Sequence, residues 1–143
     1  MTMTSLHVFD ETIQKSEAWL KGLEQDLHTE DPQHAYSALR SVLHALRDRL
    51  SPEEAVDLAA QLPLLIKGVF FDGWNPAKQP VKLSDPAEFT EYMQNSLNDN
   101  VDAQMAVKSV FKLLNENITC GEIRHVKSNL PDSIQALWDQ AVQ

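Results

Sequence analysis

An internal repeat constrains this chain more than any other feature of its sequence. Residues 38–71 align with residues 106–139 at a constant offset of 68 positions, without a gap. Chance would give about two identical pairs at typical residue frequencies. Eight pairs are identical: Ala38/Ala106, Ser41/Ser109, Val42/Val110, Leu46/Leu114, Glu54/Glu122, Leu62/Leu130, Pro63/Pro131 and Ile66/Ile134. We therefore expect two related structural units that pack against each other.

Each repeat carries the apolar periodicity of four helices. The preceding segments, 19–27 and 89–97, also align, although less closely. Apolar residues recur at steps of three and four, which is typical of amphipathic helices. In the first helix this stripe consists of Phe9, Ile13, Ser16, Leu20, Leu23 and Leu27. Because no segment shows sustained alternation, we predict an all-α fold of about eight helices without a sheet.

The same helix signals recur in both repeats. Ser51 with Glu54 forms a capping box, and Thr119 with Glu122 forms its counterpart. Asp-Pro pairs at 31–32 and 85–86 supply an N-cap followed by a proline in the first helical turn. Leu-Pro pairs at 62–63 and 130–131 end the third helix of each repeat. We predict repeats at 1–72 and 85–143, a linker at 73–84, and one structural domain overall.

Composition argues against several classes of partner. The 143 residues carry a formal net charge of −9, and both repeats contain more acidic than basic residues. A nucleic-acid binder is expected to display a basic stripe, and an anionic membrane attracts basic segments. We therefore expect neither nucleic-acid nor membrane binding. With Cys120 as the single cysteine and no secretory signal at the start of the sequence, we expect a cytoplasmic protein.

No chemical motif in the sequence predicts catalysis or a cofactor. Glu122 and His125 have a spacing found in di-iron bundles, but the first repeat has Glu54 and Asp57 there. Glu122 is also explained as the acid of the capping box. Cys120 lies at a predicted helix start, where its counterpart is a proline, and no histidine can be placed beside it from sequence. We expect no metal, no cofactor and no catalytic residue.

The most unusual segment is the fourth helix of the first repeat. Its counterparts are clearly amphipathic, with Ile134, Leu137 and Trp138 on the apolar face. In the first repeat, three counterparts of polar residues are apolar as well: Leu64, Leu65 and Phe71 stand where the second repeat has Asp132, Ser133 and Asp139. We take Leu64, Leu65, Phe71 and Trp74 as the candidate interaction face, and expect Gly73 to end the helix in a left-handed conformation.

Three interpretations of this extra apolar surface remain open at the level of sequence. It could pack between the two repeats, contact a homodimer partner or another protein, or line a pocket for a small ligand. The leading hypothesis is a non-enzymatic protein–protein interaction module. The alternative is an apolar small-molecule binder or enzyme with its pocket between the repeats.

One pattern of residues extends from the end of the second helix to the segment after the fourth. It consists of Arg49, Leu50, Glu54, Ala55, Leu58, Ala60, Gln61, Leu62, Pro63, Phe70, Phe71, Gly73, Trp74 and Pro76. With this pattern the sequence resembles the bacterial family catalogued as domain of unknown function 2267. The resemblance covers essentially the whole chain, and a later Leu130-Pro131 pair agrees with it. It implies an all-helical fold and no assigned activity or catalytic residue. The family pattern leads us to expect tyrosine often where this chain has two phenylalanines.

Overall fold

The computed structural model describes residues 4–143, so the first three residues of the predicted first repeat lie outside the described residues. This part of the chain contains eight α-helices, one short 3₁₀ turn at Pro76–Lys78, and no strand. The predicted all-α fold is confirmed. The helices are α1 His7–Asp26, α2 Pro32–Arg49, α3 Pro52–Ala59, α4 Leu64–Phe71, α5 Pro86–Met93, α6 Ala103–Asn117, α7 Cys120–Ser128 and α8 Asp132–Ala141.

Most helices begin at a side chain that accepts a hydrogen bond from the first turn. Such a bond satisfies one of the backbone N–H groups that have no partner within the helix. The hydroxyl half of both capping boxes is formed: Ser51 accepts from the Glu54 amide and Thr119 from the Glu122 amide. The other side-chain caps are Asp31 for α2, Asp85 for α5 and Asp102 for α6.

Helices α4 and α8 begin differently, directly after Pro63 and Pro131, which supply no side-chain cap. In α4 the missing bond comes from a neighbouring helix, because Thr12 Oγ1 accepts from the Leu65 amide at 2.9 Å. The predicted left-handed residue after α4 is confirmed, since Gly73 has a φ of 71°.

Helices α2 and α6 pack against each other at the centre of the molecule, and α3 packs against α7. Helix α1 contacts α2, α4 and α6, and α5 contacts α6, α8 and α2. The packing is therefore symmetric between the two halves. Each contact that α1 makes has an equivalent contact of α5, with α2 exchanged for α6 and α4 exchanged for α8. The two halves share one hydrophobic core instead of each completing its own.

Burial follows the sequence alignment of the two repeats. Ile66 and Ile134 are both buried, and so are Phe70 and Trp138. The same holds at Val42/Val110, Leu46/Leu114, Leu58/Val126 and Leu62/Leu130. The aligned apolar positions are therefore core positions in both halves.

The first helix departs from the predicted stripe at its beginning. Helix α1 has 20 residues, whereas α5 has 8. Leu23 is buried as its position in the stripe predicts, but Phe9 is 47% exposed. The first turns of α1 have no counterpart in α5. An amphipathic stripe identifies the face that turns inward, but not how far the underlying core extends.

Candidate functional site

The structure divides the four candidate residues into two pairs. Leu64 is 51% exposed and Leu65 is 50% exposed, on the first turn of α4. Phe71 and Trp74 are partly buried. The extra apolar side chains of α4 therefore do not share one environment: the first pair lies on the surface and the second pair packs at the other end of the helix.

Phe71 and Trp74 pack against each other and fasten the segment that follows α4. Their ring centroids are 5.0 Å apart, and Phe71 also contacts Phe70 edge-on at 5.2 Å. The indole nitrogen of Trp74 donates to the Gln79 Oε1 atom. Phe71 packs against the hydrophobic core. Both rings thus pack against partners within the chain, whereas about half of the surface of Leu64 and of Leu65 remains exposed.

The exposed leucines of α4 lie beside the exposed start of α1. Thr12, which accepts from the Leu65 amide, stands one helical turn after Val8 and Phe9. Val8 is 54% exposed and Phe9 is 47% exposed. Residues three and four apart share one side of a helix. We call the four side chains Val8, Phe9, Leu64 and Leu65 the α1–α4 face.

Sequence reasoning missed the contribution of α1 to this face. It placed Phe9 on a buried stripe, and it drew no inference from Val8. The signal in the sequence is that the apolar stripe begins at Phe9, well before the segment 19–27 that aligns with the second repeat. The first turns of α1 have no equivalent in the second repeat, and their apolar residues are the exposed ones.

Two side chains of α2 bind the end of α4. His44 Nε2 donates to the Val69 carbonyl at 2.7 Å, and Arg47 Nη1 donates to the Phe70 carbonyl at 2.8 Å. Arg47 Nη1 also donates to the Asp72 carbonyl at 3.1 Å. The last carbonyls of a helix have no partner within it and carry a partial negative charge. A buried cation is well placed to satisfy them.

Burial lowers the pKa of His44, and the nearby Arg47 and Arg40 guanidinium groups lower it further. The Val69 carbonyl and the Asp48 carboxylate act in the opposite direction. The Nε2 atom must carry a hydrogen to donate to a carbonyl, so the neutral ring is the tautomer with its proton on Nε2. His44 is therefore a neutral helix-capping group with a structural role.

The charge of Arg47 is balanced inside the protein. Its Nε atom lies 2.7 Å from Asp48 Oδ1, and the Tyr92 hydroxyl donates to Asp48 Oδ2 at 2.6 Å. Desolvation and this hydrogen bond raise the pKa of Tyr92 to about 12. Gln79 donates to the Arg47 and Leu50 carbonyls. Arg47 thus joins α2, the end of α4 and, through Asp48, α5.

A pocket of about 210 Å³ lies beside this network. Its walls include Arg47, Asp48, Gln79 and Tyr92, together with exposed residues of the 73–84 segment. All four of these polar side chains already have hydrogen-bond partners within the chain. The pocket therefore offers few unsatisfied groups to a ligand.

A larger pocket of about 370 Å³ opens where the two repeats meet. Helix α1 contributes Lys15, Ala18 and Trp19, and the turn before α4 contributes residues 61–63. Asn117, the last residue of α6, completes it from the second repeat. We call it the seam pocket. The alternative hypothesis, an apolar ligand held between the repeats, would use a pocket at this position.

Glu122 is partly buried in the first turn of α7. Its Oε2 atom is shielded from solvent and has no hydrogen-bond partner. The pKa of Glu122 is raised, chiefly because its carboxylate is desolvated. The charge of His125 acts in the opposite direction, and the charge of Asp57 raises the pKa further. Within residues 4–143, no group of three or more His, Cys, Asp or Glu side chains is arranged to hold a metal ion. Cys120 is exposed.

None of the helices in the described part of the chain combines the length and hydropathy required to cross a bilayer. Comparison with known proteins gives one family. The family described as Uncharacterized conserved protein (DUF2267) matches residues 16–137. None of the curated proteins matches the chain.

Proposed function

The chain belongs to the DUF2267 family, and we propose that it works as a non-enzymatic protein–protein interaction module that binds through the α1–α4 face. The observation that carries this proposal is the exposure of four apolar side chains on two helices that pack together. Single exposed apolar residues are common on protein surfaces, but a contiguous group is typical of a binding surface.

Comparison with the second repeat indicates that folding does not require these leucines. Asp132 and Ser133 occupy the positions of Leu64 and Leu65, and both are exposed. Ile66 and Ile134, two positions further on, are both buried. The same helix thus forms in the same setting with polar residues on its outer side. Apolar side chains at these positions therefore favour a role outside the fold.

We propose an amphipathic helix of another protein, with basic residues at its rim, as the partner. A second copy of this chain would bring a net charge of −9 against the same charge. A standard interface buries about 800 Å² on each partner, which four half-exposed side chains cannot supply. A single helix that places two or three apolar anchors on a narrow face requires less area.

The double substitution Leu64→Asp with Leu65→Ser tests the proposal, because it gives α4 the residues of α8. We expect partner affinity to fall at least about tenfold, since apolar anchors at the centre of an interface dominate its energetics. The free energy of unfolding should change by no more than about 0.5 kcal/mol, as is usual for surface positions. Val56→Asp, which alters a 50% exposed valine on α3, is the matched control.

Photo-crosslinking in cells can identify the partner. A benzophenone side chain replaces Phe9, and the adduct is compared with and without the double substitution. We expect an adduct that the double substitution removes and Val56→Asp retains. Its cross-linked peptide should have apolar residues at helical spacing and more Lys and Arg than Asp and Glu. An adduct with a second copy of the chain would exclude the proposed partner, and an adduct unaffected by the double substitution would exclude the face.

A further inference from the structure

The seam pocket contains a buried polar side chain without a partner. Trp19 is 6% exposed and lines the pocket. Among residues 4–143 its indole N–H has no acceptor. The unpartnered side-chain atoms that are sealed from solvent in this part of the chain are Ser16 Oγ and Glu122 Oε2. The Trp19 nitrogen is therefore not sealed from solvent, and the pocket is lined by the same side chain.

The pocket is also lined by further polar residues. Lys15 brings an ammonium group, and Gln61 brings a side-chain amide. Asn117 donates one N–H to the Leu113 carbonyl at 2.8 Å and retains a second N–H. Ala18, Leu62 and Pro63 form apolar wall. The pocket thus presents an excess of hydrogen-bond donors next to an apolar surface, which suits a ligand with acceptor oxygens and a small apolar body.

In the second half of the molecule, the corresponding place is filled by the chain itself. Arg49 is the counterpart of Asn117, and its Nε donates to the Leu83 carbonyl at 3.1 Å. Leu83 is 5% exposed. The adjacent Ser84 carbonyl accepts from Ser133 at the start of α8 at 3.2 Å. Leu83 therefore lies between the end of α2 and the start of α8, as the seam pocket lies between the end of α6 and the start of α4.

The place occupied by Leu83 shows which groups fit between these helix ends: a leucine side chain and the carbonyl oxygen that follows it. In the first repeat the segment that corresponds to Leu83 belongs to helix α1, which lines the pocket with Lys15, Ala18 and Trp19. The aromatic position differs as well. Trp19 aligns with Phe89, which is buried without a polar atom to satisfy. The seam pocket thus has unoccupied volume, and Trp19 gives it an N–H donor that Phe89 does not have.

We propose that the seam pocket binds a short branched aliphatic carboxylate, with its hydrocarbon end against Ala18, Leu62 and Pro63. The carboxylate accepts from the Trp19 indole N–H and from Lys15. Lys15 Nζ already lies 3.1 Å from Glu11 Oε1, one turn earlier on α1. An exposed pair of this kind contributes little, and an ammonium group has three donors, so Lys15 can serve both carboxylates.

The probe for this site is 4-methylpentanoate, which has the carbon skeleton of leucine without the amino group. The three tryptophan indole groups give three separate signals in the ¹H–¹⁵N spectrum of the labelled protein, and Trp19→Phe identifies that of Trp19. Titration should shift the Trp19 signal downfield and leave those of Trp74 and Trp138 in place. We expect a Kd of about 1 mM or tighter, the range accessible to so small a ligand.

Charge and shape are tested separately. Lys15→Gln should weaken binding about fivefold or more, comparable to the loss of one charged hydrogen bond, whereas Lys21→Gln, on the same helix but outside the pocket, should leave it unchanged. 4-Methylpentanamide should bind more weakly than the acid, and so should acetate, which lacks the branched hydrocarbon. The α1–α4 face remains intact in both lysine variants, so failure here is distinguishable from failure of the proposed function.

Several results would overturn the proposal. They are an unmoved Trp19 signal at 20 mM probe (on the order of twenty times the expected Kd), equal binding of acid and amide, and equal loss of affinity in Lys15→Gln and Lys21→Gln. Tighter binding of N-acetyl-leucine than of 4-methylpentanoate would also overturn it, because the occupant would then be the carboxyl terminus of a peptide.

Discussion

Helices α4 and α8 occupy corresponding places in the two repeats, and their inward-facing residues agree. Ile66 and Ile134 are buried, as are Phe70 and Trp138. On the outward side α4 has Leu64 and Leu65, whereas α8 has Asp132 and Ser133. Packing therefore restricts the inner positions of both helices to apolar residues. The outer positions are free to differ, and their difference suggests where the two repeats have acquired separate roles.

The ends of these two helices differ as well. Arg47 satisfies carbonyls at the end of α4, and its counterpart is Asn115. Asn115 accepts from the Trp138 indole nitrogen at 3.4 Å and lies near α8 without binding its last carbonyls. The chain continues past α4 into the segment that leads to the second repeat. At this junction the Arg47 guanidinium holds the Phe70 and Asp72 carbonyls against α2.

The largest effects should come from the shared core, where the two repeats are expected to respond alike. Phe70→Ala and Trp138→Ala each remove a fully buried ring, and we expect each to lower the free energy of unfolding by about 3–5 kcal/mol. Urea unfolding monitored by circular dichroism measures both. If one substitution were nearly neutral, the two positions would not be equivalent parts of one core.

A somewhat smaller effect should distinguish the two helix ends. Arg47→Met keeps much of the side-chain volume but leaves the Phe70 and Asp72 carbonyls without this donor, and it leaves the Asp48 carboxylate with the Tyr92 hydroxyl but without its cation. We expect a loss of about 3 kcal/mol in unfolding free energy. Asn115→Ala, the matched change in the second repeat, should lose about 1 kcal/mol. Equal losses from both substitutions would contradict the special role of Arg47.

The smallest effect should be a dependence on pH that only the first repeat has. His44 corresponds to Lys112, so the second repeat has no buried imidazole there. The pKa of His44 is lowered from 6.5 in the folded protein. Between 6.5 and that lower value, the unfolded chain binds more protons than the folded chain. Stability contributed by His44 is therefore present above pH 6.5 and is lost as the pH falls below it.

His44→Gln tests this dependence, because an amide can still donate to the Val69 carbonyl but does not titrate. The difference in unfolding free energy between the original protein and this variant should change as the pH decreases from 7 through 6.5, in the direction that disfavours the original protein. A difference that is constant across this range would mean that the proton affinity of His44 is the same in both states.

Much of the fold could be predicted from local patterns. The eight helices, the hydroxyl half of the capping boxes, the Asp-Pro helix starts and the left-handed Gly73 depend on residues only a few positions apart. The candidate face could be predicted only in part. Leu64 and Leu65 stand out against the second repeat, but the contribution of Val8 and Phe9 depends on which neighbouring helix supports the start of α1.

The sequence by itself determined the helices and the core positions that the two repeats share, because these follow from hydrogen bonds and periodicity within a few turns of chain. Tertiary structure decided which of the surplus apolar residues remain exposed, which carbonyls Arg47 satisfies, and that the place filled by Leu83 in one half stays open beside Trp19 in the other. The physical reason is distance along the chain. Arg47 and Phe70 are 23 positions apart, and Arg49 and Leu83 are 34 apart. Contacts of that kind arise from how whole helices pack, which no local pattern specifies.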